Sequence, residues 1–129
     1  MPRVCCLASL APQDVGLLSA ALKRAGEPAL SVVAHLNVAE LHKLAPSLVI
    51  ADLDGLEIDP LEMLRQLRFV LPNCILAVYT AVTKGSWGRA CHLAGANCLL
   101  SKESSESQLS AGLRSAIRGG CYTDPRFAA

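Results

Sequence analysis

Three polar side chains stand where apolar runs end. Asp52 follows Leu48-Val49-Ile50-Ala51, Thr80 follows Ile75-Leu76-Ala77-Val78-Tyr79, and Lys102 comes just after Cys98-Leu99-Leu100. Brought into one crevice, a carboxylate, a hydroxyl and an ammonium suit phosphoryl chemistry. The carboxylate can attack phosphorus while the other two hold the phosphoryl oxygens. A plainer reading keeps the same residues without chemistry: Asp52 pairs with Lys102 as a salt bridge, and Thr80 satisfies backbone groups at a strand end. Both readings stand on the sequence alone. Other chemistries lack their residues. Leu7-Ala8-Ser9-Leu10-Ala11-Pro12 has no glycine to cradle a dinucleotide or a nucleoside triphosphate. There is no nucleophile elbow, and His35, His42 and His92 are dispersed, so they form no ligand set.

The elements that must position these residues are short apolar runs alternating with amphipathic stretches. Strands are predicted at Val4 to Leu7, Leu30 to Ala34, Leu48 to Ala51, Ile75 to Tyr79 and Cys98 to Leu100. The first helix is predicted from about Pro12 to Ala25, with Val15, Leu18, Ala21, Leu22 and Ala25 on one face. Asn37-x-x-Glu40 has the form of a capping box and launches a second helix that ends before Pro46. Asp59-Pro60 starts a third, broken at Pro72. A weaker helix runs from about Ser86 to Ala94. The last starts at Ser105, with Gln108 as its capping partner, and reaches Gly119-Gly120 through Leu109, Leu113 and Ile117. Strict alternation implies parallel strands joined by helical crossovers, and strands apolar throughout imply a sheet covered on both faces. The fold class is therefore α/β, an open, five-stranded, parallel, doubly wound sheet. Ligands in such folds gather outside the carboxyl ends of the strands, where Asp52, Thr80 and Lys102 fall.

Composition narrows the function classes. The chain has 129 residues, 52% of them apolar and 18% charged, enough for one domain with a core. Twelve basic against eleven acidic residues leave a formal charge of +1, without the basic excess that a nucleic-acid surface needs. No apolar run approaches the ~18 residues of a membrane span, and the N-terminus has no secretory cleavage pattern. A cytoplasmic protein is expected. Six cysteines, at 5, 6, 74, 91, 98 and 121, include no Cys-x-x-Cys and no zinc-finger spacing. They read as buried thiols, with Cys5 and Cys6 on opposite sides of the first strand. Thiol-based sensing through Cys5, Cys74 or Cys98 is a weaker alternative.

The segments Pro46-Ser47-Leu48-Val49-Ile50-Ala51-Asp52, Thr80-Ala81 and Gly95-Ala96-Asn97-Cys98-Leu99-Leu100-Ser101-Lys102 resemble the core motifs of response-regulator receiver domains in two-component signalling. The later segments Lys102-Glu103-Ser104-Ser105, Ala116-Ile117-Arg118-Gly119-Gly120 and Tyr122-Thr123-Asp124-Pro125 resemble the NarL/FixJ (LuxR-type) subclass. The resemblance covers nearly the whole chain. It implies a CheY-like, flavodoxin-like (βα)5 receiver over residues 1–120, with 121–129 as a C-terminal tail or the start of a linker. It also implies Asp52 as phosphoacceptor, Thr80 as switch hydroxyl and Lys102 as the lysine that pairs with the acceptor or its phosphoryl group. Asp52 and the backbone carbonyl of Asp54 would be metal ligands.

The departures from that family are as informative. Receiver domains end their first strand with two adjacent acidic residues that hold Mg²⁺, and here Ser9 and Leu10 stand in their place. Mg²⁺ needs hard oxygen ligands to offset the loss of its waters, so binding is expected to be weak or absent unless Asp14 or Asp54 supplies a replacement carboxylate. The aromatic usual three residues before the lysine is Leu99, and Trp87 is a candidate for a partner-facing surface instead. The expectation is an atypical receiver: a regulatory module and not an enzyme. Its partner would be a sensor histidine kinase, another signalling protein or a second copy of the chain. No nucleic acid would bind through this domain, since only nine residues follow Gly120 and they cannot make a helix-turn-helix. The alternative is an interaction module that works without phosphorylation.

Overall fold

A computed structural model describes residues 5–26, 30–33 and 37–128. The apolar runs form β1 (Cys5–Ala8), β2 (Leu30–Val33), β3 (Leu48–Asp52), β4 (Ile75–Thr80) and β5 (Cys98–Ser101). Between and after them come α1 (Pro12–Arg24), α2 (Val38–Leu44), α3 (Pro60–Val70), α4 (Gly85–Ala94) and α5 (Glu106–Gly119). Val4, Ala34 and His35, which the sequence reading touched, lie outside the described residues.

Local chemistry starts the helices where the sequence signals it. Asn37 accepts a hydrogen bond from the Glu40 N–H at 3.1 Å, and Asp59 accepts one from the Leu61 N–H at 2.9 Å, ahead of Pro60. Ser105 and Gln108 satisfy each other's backbone N–H groups in a complete capping box.

The sheet is parallel throughout, in the order β2-β1-β3-β4-β5 with a short outer strand, β6 (Tyr122–Thr123), beside β5. Alternate residues of each strand face opposite sides and build two cores. Cys6, Val49, Ala51, Leu76, Val78 and Leu99 pack with Leu41, Leu64, Leu67 and Cys91 on the α2–α4 side. Cys5, Leu7, Ile50, Tyr79 and Leu100 pack with Leu18, Leu22, Leu109 and Leu113 of α1 and α5. Cys5 and Cys6 thus go to opposite faces, both buried. All six cysteines are thiols. Among the described residues, no helix is long and apolar enough to cross a membrane.

The sheet gains a sixth strand beyond the five expected, β6 (Tyr122–Thr123), inside the segment expected to be a tail or linker. Tyr122 pairs with Cys98 and Thr123 with Leu99. A 3-10 turn at Pro125–Phe127 follows and buries Phe127. Two glycines receive these aromatics: a Cβ at Gly112 would lie 2.6 Å from the Tyr122 ring, and one at Gly88 would lie 3.0 Å from Phe127. Asp124 is buried under a hydrogen bond from Ser104 at 2.8 Å and an ion pair with Arg126 at 3.2 Å. A two-residue strand has no periodicity, so pattern reading cannot find it.

Arg68 ties α3 to the loop before β5. Its guanidinium donates to the carbonyls of Leu71 at 3.1 Å, Cys74 at 2.7 Å and Gly95 at 2.7 Å, and to the Asn97 side chain. Asn97 in turn accepts from the Leu76 N–H at 2.9 Å, which sets the entry of β4 beside β5.

Candidate functional site

Asp52, Thr80 and Lys102 do meet. Adjacent strands β3, β4 and β5 deliver them to one edge of the sheet, beside the point where the strand order reverses between β1 and β3. The Lys102 N–H donates to the Thr80 carbonyl at 3.0 Å, which fixes the backbone of the lysine against the end of β4. Its ammonium lies 2.7 Å from Asp52 Oδ2 and 3.2 Å from Asp54 Oδ2. It also stands 5.9 Å from the centre of the Tyr79 ring, a cation–π distance.

Asp54 holds the more informative position. Its Oδ1 accepts from the Thr80 hydroxyl at 2.7 Å, and its Oδ2 accepts from the Ala81 N–H at 2.8 Å. The Thr80 hydroxyl itself accepts from the Val82 N–H at 3.0 Å, so its one proton is left for Asp54. The Asp54 N–H donates to Asp52 Oδ1 at 2.9 Å. Asp52, 8% exposed, therefore has one oxygen on a backbone N–H and the other on an ammonium.

Titration follows this geometry. Partial burial works against ionisation of Asp54, but the Ala81 N–H, the Thr80 hydroxyl and the Lys102 ammonium outweigh it and hold the carboxyl below its ordinary value. Partial burial likewise opposes the Lys102 charge, and hydrogen bonds to Asp52 and Asp54 overcome it, leaving the ammonium above its ordinary value. Tyr79 is pushed up to about 12 by burial and by Asp14, whose Oδ1 lies 3.4 Å from the phenol oxygen.

No family model and no curated protein matches the sequence. Solved structures do match, over nearly the full length. The receiver (REC) domain of RcsB from Salmonella enterica serovar Typhimurium, determined with the phosphomimetic BeF3⁻, aligns with TM-score 0.75 and 14% identity over 98% of this chain and 95% of that one. This is the receiver fold. A LuxR-family two-component response regulator from Aurantimonas sp. SI85-9A1 aligns with TM-score 0.77 and 19% identity, over 98% of this chain and 91% of that one. A response regulator from Thermotoga maritima aligns with TM-score 0.75 and 15% identity over the whole of both chains.

Within the receiver fold, the residues that would have to hold Mg²⁺ do not fit the ion. β1 ends at Ala8, paired with Ala51, so the next residue along each strand is Ser9 on one and Asp52 on the other. Ser9 carries a hydroxyl and takes a left-handed φ of 62°, a conformation that costs a residue with a Cβ about 1–2 kcal/mol. Leu10 packs against the α1–α5 core and offers no oxygen beyond its backbone. Both Asp52 oxygens are engaged, one of them by a cation. The replacement carboxylates considered from sequence go elsewhere, Asp14 to Tyr79 and Asp54 to Thr80 and Ala81. Among the described residues, no three His, Cys, Asp or Glu side chains cluster as a metal set. An octahedral, oxygen-only ion finds too few ligands and a competing ammonium.

Trp87 is half-buried and packs against the α2–α4 core, and its indole N–H is buried without an acceptor among the described residues. Leu99, where an aromatic was missing, is fully buried. Burial pushes the thiols of Cys74 and Cys98 up to about 12 and that of Cys91 up to about 11, and a protonated buried thiol is a poor nucleophile.

Proposed function

We propose that this chain is a receiver-type regulatory module that signals by binding another protein and is not switched by Mg²⁺-dependent phosphorylation. It is a signalling domain and not an enzyme, and it acts in the cytoplasm. Its partner is a sensor kinase, another signalling protein or a second copy of the chain. The observation that carries this reading is the double engagement of Lys102 by Asp52 and Asp54, at 2.7 and 3.2 Å, beside Ser9 and Leu10. Phosphoryl transfer to a carboxylate needs positive charge to stabilise the oxygens of the transition state. In this crevice two carboxylates already share the Lys102 ammonium.

A second reading keeps Asp52 as a phosphoacceptor, and one observation favours it: Asp52, Thr80 and Lys102 converge at three adjacent strand ends. Intact-mass measurement after incubation with acetyl phosphate, with and without Mg²⁺, separates the two. The proposal expects no Mg²⁺-dependent phosphoryl adduct. An adduct that requires Mg²⁺ and disappears in Asp52→Asn would establish the second reading.

A further inference from the structure

Residues 121–127 are seated on the rest of the fold as a bound peptide is seated on its receptor. Main-chain bonds run from the Tyr122 N–H to the Asn97 carbonyl at 3.1 Å and from the Asp124 N–H to the Leu99 carbonyl at 3.0 Å, the pattern of a strand added to a sheet edge. The side chains enter separate receiving sites. A Cβ at Gly112 of α5 would stand 2.6 Å from the Tyr122 ring, and Phe127, 5% exposed, closes on Gly88 of α4 beside Leu99. The buried Asp124 accepts from the Ser104 hydroxyl at 2.8 Å, and the Thr123 hydroxyl lies 2.9 Å from Nε2 of His92. These receiving groups belong to α4, β5 and α5 or to the turns beside them. The joint that carries the segment into this slot is, by contrast, unpacked. Gly119, Gly120 and Cys121 are exposed, a Cβ on either glycine meets nothing within 4 Å, and Gly120 holds a left-handed φ of 81°.

We propose that this slot is a docking site for the closing segment of a second copy of the chain, so that two copies pair by exchanging residues 121–127 across the Gly119–Gly120 joint. The slot itself specifies the occupant: two glycine-backed recesses fit Tyr122 and Phe127, and the Ser104 hydroxyl meets Asp124. An exchanged segment makes in the neighbour's slot the bonds that it makes at home, and a two-fold arrangement fills both slots at once. Three joint residues, extended, reach about 10 Å, so exchange brings the two α5 termini together at exposed residues. A tethered segment docks at home with an effective concentration on the order of millimolar. Exchange therefore gains on the closed monomer as chain concentration rises or as the joint is pushed open. This deepens the reading above by naming a second copy as the partner. It rests on that reading only in taking the chain as a module that binds protein, and the slot is tested without reference to phosphorylation of Asp52.

The test mixes two variants, neither of which can fill a slot alone. Tyr122→Ala with Phe127→Ala keeps the slot and removes the anchors, whereas Gly112→Leu keeps the anchors and fills the Tyr122 recess. Thiols are kept reduced, so that no disulfide through the exposed Cys121 imitates pairing. Native mass spectrometry and sedimentation are expected to find monomers in each sample alone and a one-to-one heterodimer in the mixture. In the otherwise unaltered chain, Gly120→Ala strains the left-handed joint. It is expected to raise the dimer association constant at least about tenfold, since each exchanged pair frees two joints. Gly119→Ala, outside the left-handed region, is expected to leave that constant unchanged. A mixture of folded variants that stays monomeric overturns the proposal, and so does a Gly120→Ala chain no more dimeric than its parent. Where a slot or anchor variant fails to fold, the Gly120→Ala comparison decides alone. The intact-mass measurement of phosphorylation is read separately, so failure of either leaves the other standing.

Discussion

Lys102 carries the electrostatics of the crevice, since its ammonium is the shared counter-charge of Asp52 and Asp54. Its side chain is 26% exposed and that of Asp52 is 11% exposed, so the pair is screened less than a surface ion pair but is not fully desolvated. Lys102→Met would leave two neighbouring carboxylates without a cation, a loss of about 1–3 kcal/mol at neutral pH. The pH dependence has a definite sign. Asp54 titrates below its ordinary 3.8 in the fold, so its contribution is present above that value and is lost as pH falls through the lower folded-state value. Lys102 titrates above its ordinary 10.5, so its contribution is present below that value and lost as pH rises through the higher one. Urea midpoints measured across the acid range should show wild-type stability falling below about pH 4, with a shallower fall in Lys102→Met. An equal acid loss in both proteins would mean that Lys102 does not set the Asp54 titration. At this scale the sequence was legible in part. Asp52, Thr80 and Lys102 are visible because each ends an apolar run. The role of the Asp54 side chain is not, because a carboxylate two residues past a strand can turn to a metal, to solvent or to the neighbouring strand, and only the backbone turn decides.

The helices and strands were the most legible level, because each carried a local signal that tertiary packing reinforces: the cap at Ser105, Pro60 after Asp59, and the apolar runs of β3 and β4. What escaped was the closing segment, where two aromatics dock onto glycines of distant helices. Gly112 and Gly119 of α5 separate docking from helix propensity. Alanine in a helix interior gains roughly 0.5–1 kcal/mol over glycine from propensity alone. At Gly119 a Cβ meets nothing within 4 Å, so Gly119→Ala is expected to be neutral or stabilising. At Gly112 the Cβ would lie 2.6 Å from the stiff Tyr122 ring, and an overpacked contact of that kind costs about 1–3 kcal/mol. Gly112→Ala should therefore lower the thermal midpoint and speed amide exchange at Tyr122 and Asp124, whose N–H groups bond to Asn97 and Leu99 at 3.1 and 3.0 Å. Unchanged exchange there would show that β6 does not depend on this contact.

The whole molecule is a nearly neutral doubly wound sheet with a formal charge of +1, and Lys102 pairs with Asp52 and Asp54 at the carboxyl ends of its strands. The fold class followed from the alternation of elements. The chemistry at its edge depends on which donors each carboxylate faces, and a divalent cation at Asp52 would have to compete with the Lys102 ammonium 2.7 Å away. The most direct measurement is a Mg²⁺ titration of the ¹⁵N-labelled protein, following the amides of Ser9, Asp54 and Ala81. Only small, non-saturating shifts are expected through the millimolar range in which weak carboxylate sites fill. Saturating shifts at all three amides, abolished by Asp52→Asn, would contradict this expectation.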